Sequence, residues 1–309
     1  MEPNQAAALY ARGNISLGRR DLEAAIADFS EVIRCWPDYA VAYVMRGIVY
    51  EQRREPERAV ASFDSAIRVA PSYEWGYLYR GYFYQNQGQP DQAIGYFSEA
   101  LKIDPKLDDA YRARALAYAN QRQWQAAIND WSSVLQLHER DERSLKNRGQ
   151  AYRAAGHLDE AIADFSELIR ITQQPVGYDL RAEAYVSADE YQKAIADYRT
   201  GREFSGEITR GSKGLPWLLA TCPESAFRNG AEAVEAASED CKRTKWQDWN
   251  CLDTLAAAYA EAGEFTQAVT LEEHALRVRR DIPAQPRQAM QERLAAYQLG
   301  HPYHEKPAK

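Results

Sequence analysis

The sequence is poor in the residues that build disulfide scaffolds and metal sites. Its 309 residues include only four cysteines and five histidines. The cysteines do not form a Cys-x-x-Cys pair, and the histidines do not follow a His-Glu-x-x-His or other ligand spacing. We therefore expect neither a disulfide framework nor a metal site, and no cofactor. Cys222 and Cys241 are interpreted as packed small apolar residues, with a disulfide as the alternative if the protein is exported.

Long apolar runs are also missing. No uninterrupted apolar stretch approaches the roughly 20 residues that a membrane-spanning helix needs. The opening MEPNQAAALYARG has neither the basic region nor the apolar region of an export signal. We expect a soluble, cytoplasmic protein; an exported location stays open, because a removed signal would leave no trace.

An excess of positive charge is absent as well. The chain carries 38 lysines and arginines against 45 aspartates and glutamates, which gives a formal net charge of -7. Nucleic-acid affinity depends largely on neutralising phosphates with basic side chains. A general nucleic-acid binder is therefore not expected.

What the sequence does have is a regular period of about 34 residues, and such self-similarity indicates a repeat architecture. Arginine, glycine, tyrosine, alanine and an aromatic residue recur at fixed offsets within it. The arginines are Arg12, Arg46, Arg80, Arg114 and Arg148 at equal intervals, with Arg181 following one position early. Other positions that keep the period are Gly13, Gly47, Gly81 and Gly149; Tyr50, Tyr84, Tyr118, Tyr152 and Tyr185; Ala25, Ala59, Ala93, Ala127, Ala161 and Ala194; and Phe29, Phe63, Phe97, Trp131, Phe165 and Tyr198.

This pattern closely resembles the tetratricopeptide repeat, a helix-turn-helix unit. The resemblance implies an all-α, right-handed superhelical solenoid of about eight units with a C-terminal capping helix. Six regular units would occupy residues 1–207, an irregular unit with long loops 208–248, a final unit and the capping helix 249–300, and a tail 301–309. The part from PWLLATCP to LDTLAAAYAEAGEF is similar to the C-terminal portion of a group of bacterial tetratricopeptide proteins. Residues 205–248 contain several glycines, which favour a flexible backbone, so this stretch is either a hinge or packed like the rest.

The small residues predict where helices approach each other closely. Gly47 and Gly81 should lie where the two helices of a unit pass, and Ala93 should allow the second helix to contact the next unit. Aspartates that recur before the second-helix aromatic, such as Asp130, predict Arg–Asp pairs within or between units. The alternative is a basic rail of arginines pointing into an open groove.

In this family the first helix of each unit lines a concave groove, so the resemblance also implies a binding surface. Apolar and aromatic residues there predict anchors for a partner's apolar side chains, and the basic residues predict a preference for an acidic end. The predicted partner-binding residues are Tyr10, Asn14, Val44, Met45, Ile48, Trp75, Leu78, Tyr79, Tyr82, Arg112, Leu116, Arg143, Lys146 and Arg153. Alternatively, the aromatic residues pack on one another and stiffen the array, or a second copy of the chain fills the groove.

Signals for chemistry are weak. Gly206 to Lys213 has the glycine spacing of a phosphate-binding loop but lacks the Lys-Ser/Thr ending and a preceding strand. The family's carboxylate clamp for chaperone peptides is absent, because Tyr10, Met45, Trp75 and Tyr79 occupy its positions. We expect a noncatalytic scaffold that binds a peptide or protein segment of unknown identity. An RNA-binding helical-repeat module and a self-assembling oligomeric scaffold are the alternatives.

Overall fold

The structure, a computed structural model, describes residues 3–204, 214–279 and 282–306. Within these ranges the chain forms seventeen α-helices, one short 3-10 helix at Ser225–Phe227 and no strand, which confirms the all-α prediction. The helices are α1 Pro3–Gly18, α2 Leu22–Cys35, α3 Ala40–Gln52, α4 Pro56–Val69, α5 Glu74–Asn86, α6 Pro90–Ile103, α7 Asp108–Asn120, α8 Trp124–Leu137, α9 Glu142–Ala154, α10 Leu158–Thr172, α11 Pro175–Ser187, α12 Tyr191–Phe204, α13 Gly214–Thr221, α14 Gly230–Arg243, α15 Trp249–Glu261, α16 Phe265–Val278 and α17 Ala284–Gln298.

The chain divides into two compact units, one ending at Ala151 and the other beginning at Tyr152. In the first unit α1 packs on α2, α3 on α4, α5 on α6 and α7 on α8, and each pair packs on the next. The first helices also meet directly, since α3 contacts α5 and α5 contacts α7. We call the side of the unit on which these odd-numbered helices lie the first-helix face.

A single residue in the left-handed region turns the chain between the two helices of each pair. It is glycine in one pair of the first unit, Gly88, at φ +70°. In the other pairs Arg20, Arg54 and Arg122 adopt φ of 61°, 60° and 58°. The turn geometry is thus kept by packing of the helices even where glycine, which adopts this conformation most easily, is not present.

The close approach of paired helices depends on a glycine facing a phenylalanine. A Cβ atom at Gly81 would lie 2.4 Å from Cε1 of Phe97, and one at Gly47 would lie 2.5 Å from Cε1 of Phe63. Both rings are fully buried. The prediction from the repeat spacing is confirmed: only a residue without a side chain lets the ring lie against the first helix.

Substituting alanine at Gly81 is therefore expected to destabilise the protein by about 1–3 kcal/mol, because the added methyl group overpacks the Phe97 ring. Gly95 of α6 provides a matched control, since a Cβ atom there would meet nothing within 4 Å. Gly95→Ala should instead stabilise the protein by about 0.5–1 kcal/mol through the higher helix propensity of alanine. Chemical denaturation measures both, and effects of the same sign would contradict this account.

The periodic arginines connect successive second helices. The Arg114 guanidinium donates from Nε and Nη2 to both oxygens of Asp130, at 2.8 and 2.7 Å, and from Nη1 to Ser98 Oγ at 2.9 Å. Because Ser98 lies on α6 and Asp130 on α8, one arginine ties two repeats together. Further aspartate pairs include Arg12 with Asp28, Arg80 with Asp64, and Arg181 with Asp197. These contacts confirm the Arg–Asp pairs and leave no basic rail at these positions.

In the second unit α11 packs on α12, α13 on α14, α15 on α16, and α17 on α16. Helices α13 and α14 lie within residues 208–248, the range in which an irregular unit is predicted. Cys222 and Cys241 are buried free thiols in separate apolar clusters, in agreement with their interpretation as packing residues. Residues 205–213, which contain the glycine-spaced segment and the start of the suggested hinge, lie outside the described residues. The predicted domain boundaries remain predictions.

Candidate functional site

The first-helix face of the first unit carries a group of neighbouring aromatic side chains, which we call the aromatic surface. All of its members are partly exposed. They are Tyr10, Trp36, Tyr39, Tyr73, Trp75, Tyr79 and Tyr82. Ring centroids are 5.7 Å apart for Trp36 and Tyr39, 5.8 Å for Tyr10 and Tyr39, 6.2 Å for Trp75 and Tyr79, and 6.0 Å for Tyr79 and Tyr82.

Helical spacing places the α5 members together. Tyr79 follows Trp75 by four residues and Tyr82 follows Tyr79 by three, so all three project from one side of α5. Tyr39 and Tyr73 each directly precede a first helix, α3 and α5. They therefore extend the row beyond the helix ends.

Two phenols of this surface, those of Tyr73 and Tyr82, have raised pKa values. Burial is the largest cause that raises the pKa of Tyr73 to about 12, and nearby Tyr10, Tyr39 and Tyr79 act in the same direction. Burial also raises the pKa of Tyr82 to about 12. A neutral phenol offers an apolar ring and a hydroxyl that can donate or accept one hydrogen bond. The surface can thus bury apolar groups and still orient a polar backbone.

Charged groups border the aromatic surface on the side of α7 and α9. Arg112 donates to Asp108 at 2.7 Å and to Asp141 at 3.2 Å, so its charge is largely compensated. Arg143 is exposed, and it acts electrostatically on Tyr82. Of the predicted basic residues in this unit, Arg143 is the one that the structure places beside the aromatic row with its side chain in solvent.

Two residues of the predicted surface need correction. Val44 is 2% exposed and packs with Ala66 and Phe83, while Leu78 is 1% exposed and packs with Leu101. Both hold the fifth position of their units, which here faces the neighbouring pair of helices rather than the open face. A partner cannot reach these side chains, so we omit them from the candidate site.

The remaining predicted residues are partly exposed and lie in different surroundings. Met45 and Ile48 pack with part of their surface against the apolar core and sit on α3. Asn14, Leu116 and Lys146 are half-buried on α1, α7 and α9. Arg153 belongs to the second unit, where its Nη2 lies 2.9 Å from Glu183 Oε2.

Sequence reasoning missed Trp36, Tyr39 and Tyr73. The signal was present, because Tyr39 and Tyr73 are separated by one full repeat and so keep the period. The predicted groove contains only residues of the first helices, so it does not include residues that precede them. Trp36 and Tyr39 also line a surface cavity of about 340 Å³, together with Cys35, Pro37 and Asp38.

The described residues show no sign of metal chemistry or of a membrane span. Within the described ranges, no three histidine, cysteine or carboxylate side chains are grouped so that they could hold a metal ion. No helix in that part of the chain is both long and apolar enough to cross a membrane.

Comparison with known families identifies the repeats over most of the chain. Four models, each described as a tetratricopeptide repeat, match residues 1–40 and 112–174, 40–73, 75–107, and 250–282. A comparison with curated proteins gives no match by sequence.

Solved structures of other repeat proteins share the fold. A tetratricopeptide repeat protein from Parabacteroides merdae is 15% identical, with a TM-score of 0.53 over 96% of this chain and 99% of that one. Yeast Tom70 is 17% identical, with a TM-score of 0.54 over 97% and 65%. YrrB, described as a protein with an unusual peptide-binding site, is 19% identical, with a TM-score of 0.52 over 58% and 93%.

Proposed function

This chain belongs to the tetratricopeptide repeat family, whose members typically serve as protein-interaction scaffolds rather than enzymes, and we propose that it binds an apolar segment of a partner protein on its aromatic surface. The binding is noncatalytic. The observation that carries the proposal is the row of seven partly exposed aromatic side chains on the first-helix face.

The composition of the aromatic surface is typical of binding hot spots. Tyrosine and tryptophan supply large contact areas with few rotatable bonds, and both are enriched where interface energy concentrates. Core packing already restrains these rings, since Tyr82 lies 5.4 Å from the Phe97 ring and Tyr10 lies 5.8 Å from the Phe29 ring. A partner therefore meets side chains that lose little further freedom on binding.

The form of the partner follows from the shape of the row. The aromatic side chains lie on α1, in the connection from α2 to α3, and on and just before α5. This spread fits a peptide that crosses several helices, with apolar residues between the rings and backbone groups near the phenol hydroxyls. The similar structure of YrrB, described as having a peptide-binding site, supports a peptide as the ligand class. Arg143, beside Tyr82, would favour an acidic residue at that end of the peptide.

Alanine at Tyr79 or at Trp75 is expected to weaken partner binding by about 1–2 kcal/mol, since each ring is a central member of the row. Circular dichroism should show unchanged helicity, because neither ring is fully buried. Leu137→Ala is the matched control: Leu137 is an exposed apolar residue on the second helix α8, away from the first-helix face. Isothermal titration measures the affinity of the partner segment for the wild type and for each of the three variants. Equal affinities of all four proteins would contradict the proposal.

The partner can be identified by affinity capture from the lysate of the source cell. The wild-type chain is compared with a Trp75→Ala/Tyr79→Ala double variant and with Leu137→Ala. We expect proteins that the wild type and Leu137→Ala retain and that the double variant loses. Identical sets on all three baits would place binding elsewhere, and ribonuclease-sensitive capture would favour an RNA ligand.

A further inference from the structure

The C-terminal residues 301–306, which we call the tail segment, fold back onto the second unit. Helix α17 ends at Gln298, and Gly300 adopts φ +74° while its N–H and that of His301 donate to the carbonyls of Tyr297 and Ala296 at 3.0 Å. A left-handed glycine followed by proline is a common way to end a helix and redirect the chain. The tail segment then runs without helical structure past α13 and α15.

Glu305 makes the most specific contacts of the tail segment. Its Oε1 accepts a hydrogen bond from Trp217 Nε1 at 2.7 Å, and its backbone N–H donates to the Thr221 carbonyl at 2.7 Å. Trp217 lies at the middle of α13 and Thr221 at its end. Helix α13 thus forms hydrogen bonds with both the side chain and the backbone of Glu305.

Two further side chains of the tail segment are bound in the same region. His304 Nε2 lies 2.7 Å from Glu261 Oε2 on α15. The Tyr303 ring centroid is 6.2 Å from that of Trp217, and the Arg293 guanidinium carbon lies 5.5 Å from the Tyr303 centroid. Tyr303 nevertheless stays 36% exposed, so it rests on the surface rather than in the core.

The residues that receive the tail segment are held in place by other parts of the protein. Arg293 donates to Asp253 at 2.7 Å, and Glu261 accepts from Arg228 at 2.9 Å. Among the described residues, the three apolar clusters that join α13 to α17 contain no member of the tail segment. The surface should therefore keep its geometry when the tail segment leaves, as a preformed binding site does.

We propose that Trp217, Thr221, Glu261 and Arg293 form a second peptide-binding site, which the tail segment occupies within the same chain. Its ligand class is an extended peptide in which an aromatic residue is followed two positions later by a carboxylate, as in Tyr303-His304-Glu305. A partner segment with this chemistry binds when it displaces the tail segment. This site shares no residue with the aromatic surface of the first unit, so either proposal can fail without the other.

Tethering determines how the site behaves in solution. A short tether gives the tail segment an effective concentration of the order of millimolar at its own site. A free peptide of the same sequence must compete with that concentration. Full-length wild-type protein should therefore bind such a peptide weakly, and release of the tail segment should uncover a tighter site.

The test uses a labelled synthetic peptide of residues 301–306, with blocked ends, and fluorescence anisotropy. The full-length Tyr303→Ala/Glu305→Ala variant, which we call the released-tail variant, lacks the Tyr303 ring and the carboxylate that accepts from Trp217. It should bind the peptide at least about tenfold more tightly than wild type. Trp75→Ala/Tyr79→Ala should behave as wild type. Equal binding by wild type and the released-tail variant, or binding by neither, would overturn the proposal.

A double-mutant cycle checks that the contact itself is used. Adding Trp217→Phe to the released-tail variant removes the indole donor and should weaken the wild-type peptide about tenfold or more, because the lost hydrogen bond is to a carboxylate. It should change binding of a Glu305→Ala peptide, which has no acceptor for the indole, much less. Equal losses for both peptides would overturn the assigned contact. The indole N–H resonance of Trp217 in the full-length Glu305→Ala variant should be shifted from its wild-type position, because the variant removes the acceptor of that N–H. An unshifted resonance would count against the folded-back tail.

Discussion

Replacing Arg293 with methionine is expected to lower the free energy of unfolding by about 3–5 kcal/mol, because it removes the cation from a buried charge cluster. Arg293 is 8% exposed; its Nη2 lies 2.7 Å from Asp253 Oδ1 and its Nε lies 3.8 Å from Glu272 Oε1. Asp253 is also buried, and Glu272 is fully buried. Methionine fills much of the volume but leaves two buried carboxylates without the guanidinium.

Arg277 on α16 provides the control for the loss of a positive charge. Its side chain is 73% exposed and pairs with Glu273 one helical turn away. Exposed pairs of this kind contribute about 0.3–0.5 kcal/mol, so Arg277→Met should have a small effect. Urea denaturation followed by circular dichroism measures both variants. A loss below about 1 kcal/mol for Arg293→Met would mean that the cluster contributes far less than buried ion pairs usually do.

Phe97→Ala is expected to cost about 3–5 kcal/mol, the range found when a fully buried phenylalanine is truncated. The ring is fully buried, faces Gly81 across the pair, and contacts Tyr82 of the aromatic surface at 5.4 Å between centroids. Its loss opens a cavity between α5 and α6. Because repeat arrays are stabilised by nearest-neighbour contacts, the damage should also reach the neighbouring pair of helices.

Phe204→Ala is the matched control for Phe97→Ala. Phe204 is 58% exposed and stacks on Tyr178 at 5.8 Å between centroids. Its truncation should cost no more than about 1.5 kcal/mol, the upper range for an aromatic pair. Equal losses of unfolding free energy in the two variants would show that burial of the Phe97 ring does not stabilise the helix pair. Hydrogen exchange in α5 and α6 should also accelerate in Phe97→Ala.

The helices and their pairing could be predicted from the sequence because several repeats meet the same steric requirement. The Gly81–Phe97 contact recurs as Gly47–Phe63. The regular period of the sequence is enough to predict this contact. Helix pairs in such arrays contact mainly their neighbours, so local spacing contains most of the information about packing.

The candidate site was predictable only in part. Trp75, Tyr79 and Tyr82 lie on one side of α5, as their spacing indicates. Val44 and Leu78 occupy equivalent positions of α3 and α5 yet are buried, because the fifth position of these units turns toward the next pair of helices. A pattern along one helix does not reveal which of its faces a neighbouring helix covers.

The tail segment makes contacts that the repeat pattern does not predict. In sequence, residues 301–306 are a short polar stretch after the last helix. The hydrogen bond between Trp217 and Glu305 joins residues 88 positions apart. A contact of this kind depends on how α13, α15 and α17 are arranged, and no local spacing indicates it.

The central claim is that a partner's apolar segment binds on the aromatic surface, and a selected peptide tests it most directly. Peptides are selected from a displayed random library on the full-length wild-type chain, and their dissociation constants are then measured on Tyr79→Ala and Leu137→Ala. We predict a loss of about tenfold or more for Tyr79→Ala, which corresponds to about 1.4 kcal/mol, and no change for Leu137→Ala. Selected peptides that bind the wild type and Tyr79→Ala equally well would contradict the claim.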